Sequence, residues 1–247
     1  MRIDAGPPRG ESTQPIETQT AAIMAGMAAT QLEFVLYEET LVLFAERALF
    51  WPRRQTLVIA DPHFGKAATF RAGGLPVPET TTATMLERLT ALLARTRAER
   101  LLCLGDLLHA RSGRSEATLA AVAAWRQSHA QVAFQLVRGN HDAHAGDPPA
   151  DWAITCVDEP AVEGPFAWRH HPAPHEGAYA IAGHLHPAVR LNGAGRQSTT
   201  LPCFYFGAHS GVLPAFGEFT GTALVRPAAG ERVFVLVGQS IVEKSVV

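Results

Sequence analysis

The stretch "LVRGNHDAH", Leu136–His144, decides how this chain is read. An apolar run passes directly into Arg138, Gly139, Asn140, His141 and Asp142. Polar groups at the end of a buried strand are costly to desolvate unless they bond to one another or to an ion. Gly and Asn also form turns, so a lone "GNHD" is equally a plain turn with its His and Asp in water. The rest of the chain decides between the two.

With 247 residues there is material for one large domain or two small ones. A composition of 47% hydrophobic and 18% charged residues supplies an ordinary globular core. The net charge of -2 excludes a global basic field for nucleic acid, so a polyanion must be held by a local patch or by metal. Cys103, Cys156 and Cys203 are far apart and lack CxxC spacing, and they read as reduced residues in or near strands. No stretch approaches the roughly 20 apolar residues of a membrane span. Arg2 and Arg9 precede no apolar signal core, and a cytoplasmic location is expected.

Residues 1 to about 30 are rich in Pro, Gly, Ser, Thr and Ala and read as a flexible tail ahead of a single domain, 31–247. Met24 and Met27 are alternative starts close to the first strand. From Leu32 the runs "LEFVLY", "TLVLF", "ALFWP" and "TLVIAD" have strand patterns. A helix follows, with Thr80–Thr82 as caps and Met85, Leu86, Leu89, Leu92 and Leu93 on one face. Strand "RLLCLGD", a helix over Ser115–Ser128 and strand "VAFQLVRGN" complete an alternation that implies parallel β-α-β units. After Ala150 the pattern is mostly strands.

The strand ends share a chemistry. "LVIADPH" ends in Asp61 and His63, "LCLGD" in Asp106, and "LVRGNHD" in Asn140, His141 and Asp142. "FAWRHHP" ends in His170 and His171, and "IAGHLH" in His184 and His186. In a mainly parallel sheet these carboxyl ends line one edge, where ligands bind. Asp-x-His on an extended segment points both side chains to one side, and His184 and His186 repeat that spacing. Each motif alone is common in loops; together they supply carboxylate, amide oxygen and imidazole with no sulfur. That set fits a pair of divalent ions, with manganese the leading choice and iron or zinc the alternatives.

In this order, "DPH", "GD", "GNHD", "HHP" and "GHLH" resemble the calcineurin-like metallophosphoesterases over residues 32 to 240. The resemblance implies an α/β fold, a four-layer αββα sandwich of two mixed sheets flanked by helices, with a two-metal site at the strand ends. It implies that Asp61, His63 and His186 hold one ion, that Asn140, His170 and His184 hold the other, and that Asp106 bridges them. His171 is the reserve for His170. His141 matches the histidine that contacts the phosphoryl group or protonates the leaving oxygen, with Asp142 expected to orient it.

A narrower similarity joins "ADPHFGKAATFRAGGLPVP", "GDLLHARSG", "GHLHPAV" and "LPAFGEFTG" to the bacterial ligase-associated DNA damage response endonucleases, the PdeM family. That similarity implies DNA as substrate and a DNA ligase, a helicase and an exonuclease-like protein as partners. Lys66, Arg71, Arg111 and Arg114 sit in the loops after ligand-bearing strands and are candidates for phosphate contact. His109 and His209 are further candidates near the site. The alternatives to a DNA endonuclease are a phosphatase or diesterase for a small molecule and a non-catalytic protein-binding scaffold.

Overall fold

Alternation of buried and exposed positions along the chain resolves into two sheets. The computed structural model describes residues 29–75, 77, 81–192, 197–218 and 220–244. Residues 1–28 of the expected tail lie outside the described residues, whereas Ala29 and Thr30 are already docked: Ile241 N–H donates to the Ala29 carbonyl and Ala45 N–H to that of Thr30.

The first sheet has the order β1 (Gln31–Leu36), β2 (Glu39–Phe44), β3 (Ala48–Trp51), β4 (Thr56–Ile59), β5 (Arg100–Leu104), β6 (Ala133–Val137) and β7 (Ile154–Val157). β1 to β4 pair antiparallel, and β4 to β7 pair parallel. The helices α1 (Lys66–Ala72), α2 (Thr81–Thr96), α3 (Glu116–Ser128) and α4 (Asn140–Ala145) fall in the crossovers of the parallel part. α2 buries Met85, Leu86, Leu89, Leu92 and Leu93, the face expected from their spacing, against Leu57, Ile59, Leu101 and Cys103. α3 starts where the Ser115 hydroxyl accepts the Thr118 N–H, and the Trp125 indole N–H donates to Thr90 on α2 at 3.0 Å.

The second sheet contains β8 (Ala161–Glu163), β9 (Phe166–Trp168), β10 (Tyr179–Ala182), β11 (Pro187–Asn192), β12 (Ser198–Phe206), β13 (Ser210–Val212), β14 (Ala223–Leu224), β15 (Arg232–Val237) and β16 (Ser240–Lys244). β9, β10 and β13 run parallel, and the remaining pairings include antiparallel ones, so both sheets are mixed. The two sheets close on Val58, Leu102, Leu104, Trp168, Ile181, Phe204 and Phe234. Two mixed sheets with few helices match the expected α/β fold. Among the described residues the α-helices fall between Lys66 and Ala145, ahead of the second sheet. That sheet buries Val189, Leu191, Cys203, Val233 and Val235 in a small cluster of its own.

Candidate active site

β4, β5 and β6 end at one edge of the first sheet, and the parallel pair β9 and β10 ends in the second, delivering the polar residues to a common place. The residues that follow do not continue the strands. Asp61, His63, Asp106, His184 and His186 have φ of 51°, 49°, 55°, 68° and 49°. The extended reading of Asp-x-His and His-x-His is therefore corrected: these are left-handed turn residues. Such a backbone costs non-glycine residues roughly 1–3 kcal/mol each and persists only where the surroundings fix it. The fixing bonds are present. His63 N–H donates to the Asp106 carbonyl and Phe64 N–H to that of Leu107, both at 2.9 Å, zipping the two turns together beyond the strands. His184 N–H donates to Asp61 Oδ2 at 2.8 Å.

"GNHD" is neither a plain turn nor a strand end. β6 stops at Val137, Gly139 is the cap, and Asn140 opens α4. The Asp142 carboxylate, expected to orient His141, takes three backbone N–H groups instead: Asp106 and Gly139 at 2.8 Å and Leu107 at 3.0 Å. Burial pushes its pKa up against those bonds. The ring of His141 is held elsewhere, its Nδ1–H donating to the carbonyl of His109 at 2.6 Å. Its side chain is 37% exposed, with Nε2 3.9 Å from Asp106 Oδ2.

The other polar atoms converge, and some of them are left without a partner. Asp61 Oδ1 and His186 Nε2 are buried with no hydrogen-bond partner. His186 Nε2 lies 3.6 Å from Asp61 Oδ2, and His63 Nε2 lies 3.8 Å from Asp106 Oδ2. On the other side of Asp106, His170 Nε2 is 3.5 Å from Asp106 Oδ1, 2.9 Å from Asn140 Oδ1 and 3.0 Å from His184 Nδ1. His170 and His186 donate their Nδ1–H to the carbonyls of Leu104 and Gly221, each at 3.0 Å, which leaves Nε2 as a lone pair. Ring N–H groups fixed this way are usual for metal-binding histidines. Two atoms bound to one ion at about 2.1 Å lie about 3.0–3.4 Å apart, close to the spacings here. Acceptors crowded at such distances fit divalent cations.

Electrostatics agree. Burial, with Lys66, His109, His141 and His186 adding, pushes His63 down to about 2, which favours the neutral ring that a cation needs. Burial raises Asp106, with the charge of Asp61 adding to it and His170 opposing. A cation would relieve that cost.

His170 is fully buried at the centre, whereas the His171 side chain is 46% exposed and its Nδ1 lies 2.9 Å from Glu159 Oε1. Glu159 Oε2 also accepts the N–H of His170 and of His171, setting the position of both. Among the four basic candidates, Lys66 is the one whose charge is coupled to the site: burial lowers its pKa, while Asp106 and Asp61 oppose the shift. Arg111 Nε donates to the His144 carbonyl, and Arg114 reaches the carbonyls of Ala145, Gly146 and Asp147, so both brace the end of α4. Arg71 donates to the Val77 carbonyl and lines a cavity of about 190 Å³ with Thr82 and Thr118. His209 lies at the opposite edge, because Ser210 pairs with Ala180 near the start of β10.

Two features escape the sequence reading. Arg47 donates to the carbonyls of Ala215 and Gly217, and Arg88 to that of Phe216. Phe216 and Gly217 in turn donate to the carbonyls of Ala60 and Asp61, so two arginines hold the loop that holds Asp61. The second feature is the glycine before a candidate ligand. A Cβ on Gly105, which has a φ of +82°, would lie 2.1 Å from His170 Nδ1, and one on Gly139 would lie 2.4 Å from Asp106 Oδ1. The dipeptides "GD" and "GN" carried that signal.

No protein-family model and no curated protein matches the chain. Among solved structures, the nuclease MPE of Pseudomonas putida superimposes with a TM-score of 0.76 at 42% identity, covering 87% of this chain and 100% of that one. The chain belongs to the calcineurin-like metallophosphoesterases. The metallophosphoesterase fold and a hydrolytic phosphoesterase activity follow from that membership. The E. coli phosphoesterase Yfce, at 16% identity and a TM-score of 0.39 over 76% of this chain and 97% of that one, is too distant to inform the site. Among the described residues no helix is long and apolar enough to cross a membrane.

Proposed function

We propose that this metallophosphoesterase is a two-metal phosphodiesterase that cleaves DNA internally, with manganese as the working ion and residues 31–247 as one catalytic unit. The observation that carries this reading is the match to a nuclease over that protein's whole length. Asp61, His63 and His186 would hold one ion, Asn140, His170 and His184 the other, with Asp106 between them. Such a pair, when bound, activates water and neutralises charge on the phosphoryl oxygens. The Lys66 ammonium faces the same charge. His141, with Nδ1–H fixed on a carbonyl, delivers a proton from Nε2 to the departing oxygen. By family resemblance, the biological setting is DNA repair beside a ligase, a helicase and an exonuclease-like protein.

The test is incubation with circular single-stranded DNA and with bis-p-nitrophenyl phosphate, with and without manganese. Cutting of circles supports an endonuclease, because circles offer no ends. Hydrolysis of the small diester with intact circles would transfer the activity to a small-molecule substrate.

A further inference from the structure

The stretch "LPAFGEFTG", Leu213–Gly221, does more than hold Asp61. With the β2–β3 turn and the second sheet it walls a cavity of about 150 Å³ that the proposed chemistry leaves unused. His186, Arg47, Glu218, Thr220, Pro187 and Pro202 line it. Thr220 directly precedes Gly221, whose carbonyl takes the His186 Nδ1–H at 3.0 Å, so one segment both forms the wall and fixes the His186 ring. The cavity therefore adjoins the group Asp61, His63 and His186.

The lining selects an occupant. Pockets for drug-sized molecules start at about 300 Å³, so this one suits a single small ring. Pro187 and Pro202 offer that ring apolar surface. Arg47 commits Nη1 to the carbonyls of Ala215 and Gly217, at 3.3 and 3.0 Å, while Nε and Nη2 make no bond among the described residues. Burial lowers the Arg47 pKa and the charge of Glu218 opposes that shift, so the two charges act on each other. They nevertheless form no ion pair among the described residues. A phosphate would meet the Glu218 carboxylate as a like charge. A nucleobase edge with an amine beside an acceptor satisfies both groups: the carboxylate accepts from the amine, and the guanidinium donates to the acceptor.

We infer that this cavity is a nucleobase subsite for the nucleotide beside the scissile phosphate, with Glu218 favouring cytosine over thymine or uracil. Cytosine presents its N4 amine where those two bases present a carbonyl oxygen. This rests on the nuclease reading.

The experiment measures how deoxycytidine and deoxyuridine monophosphates, with phosphate on either sugar hydroxyl, inhibit hydrolysis of bis-p-nitrophenyl phosphate. It also maps the cuts made in a single-stranded circle of mixed sequence. For the wild type, the cytosine nucleotide should inhibit at a concentration at least about 5-fold lower than its uracil counterpart. Cuts in the circle should favour cytosine over thymine at one fixed offset. Glu218→Ala removes an exposed carboxylate and should erase both preferences. Its bound manganese and its uninhibited rate on the small diester should stay at the wild-type level. Equal inhibition by the two nucleotides, cuts without base bias, a preference that survives Glu218→Ala, or loss of manganese from that variant would each overturn the proposal. A circle left intact while the small diester is hydrolysed would sink the nuclease reading instead, and the nucleotide comparison would still decide the subsite.

Discussion

Asp106 and Asp142 lock each other's backbone. The Asp142 carboxylate accepts the Asp106 N–H at 2.8 Å, while the Asp106 carboxylate accepts the N–H of His141, the residue before Asp142, at 2.9 Å. The lock ties the turn after β5 to the start of α4, so one candidate ligand and the candidate proton donor move together. Asp142→Asn replaces an acceptor of three N–H groups with an amide that turns one donor toward them. Destabilisation of about 2–4 kcal/mol is expected, together with loss of activity. A denaturant midpoint and rate equal to the wild type would show that the lock is dispensable.

The pH dependence has a definite sign. Burial holds the Asp106 carboxyl above its ordinary range, with the Asp61 charge adding to the shift. A carboxyl raised in the folded state favours folding when protonated. Its contribution to the metal-free protein is fully present below the unfolded pKa and is lost as pH rises through the folded one. Cations bind only the ionised form and work in the opposite direction. The rise in thermal midpoint on adding manganese should therefore be larger at about pH 7.5 than at about pH 5. An equal rise at both values would separate Asp106 from the metal.

His170 and His171 are adjacent in sequence but differ in burial and partners. His170→Ala removes a fully buried ring at the centre, and His171→Ala removes a half-exposed one already paired with Glu159. Loss of most diester hydrolysis is expected for the first and a small effect for the second. The reverse ranking would move the ligand to His171.

Much of this was legible in the sequence because the chemistry sits in short motifs at strand ends, and strands such as "TLVIAD" and "RLLCLGD" announce themselves by apolar runs. The helices over Met85–Leu93 and from Ser115 were legible from spacing and a cap. The left-handed turns at Asp61, His63 and Asp106 were not, because tertiary bonds between two turns hold them there against local preference. The bracing of α4 by Arg111 and Arg114 was not legible either, because a charge in a loop does not reveal which carbonyl it will find. The glycines were underread: "GD" is common, and only the approach of His170 and Asp106 shows why no side chain fits.

Gly139→Ala checks that last point. Its Cβ would meet Asp106 Oδ1 at 2.4 Å and His170 Cε1 at 2.8 Å, so one methyl should displace both sides of the site. Circular dichroism should remain close to wild type while metal binding weakens. Unchanged metal affinity would show that the ligands can yield.

The most direct measurement is the number of manganese ions bound per chain, counted by elemental analysis on dialysed protein of known specific activity, for the wild type and for Asp106→Ala. Two ions in the wild type are expected, with fewer in the variant and no activity with any metal. A wild type that is fully active after chelation, or an Asp106→Ala variant that keeps two ions and full rate, would contradict the two-metal site.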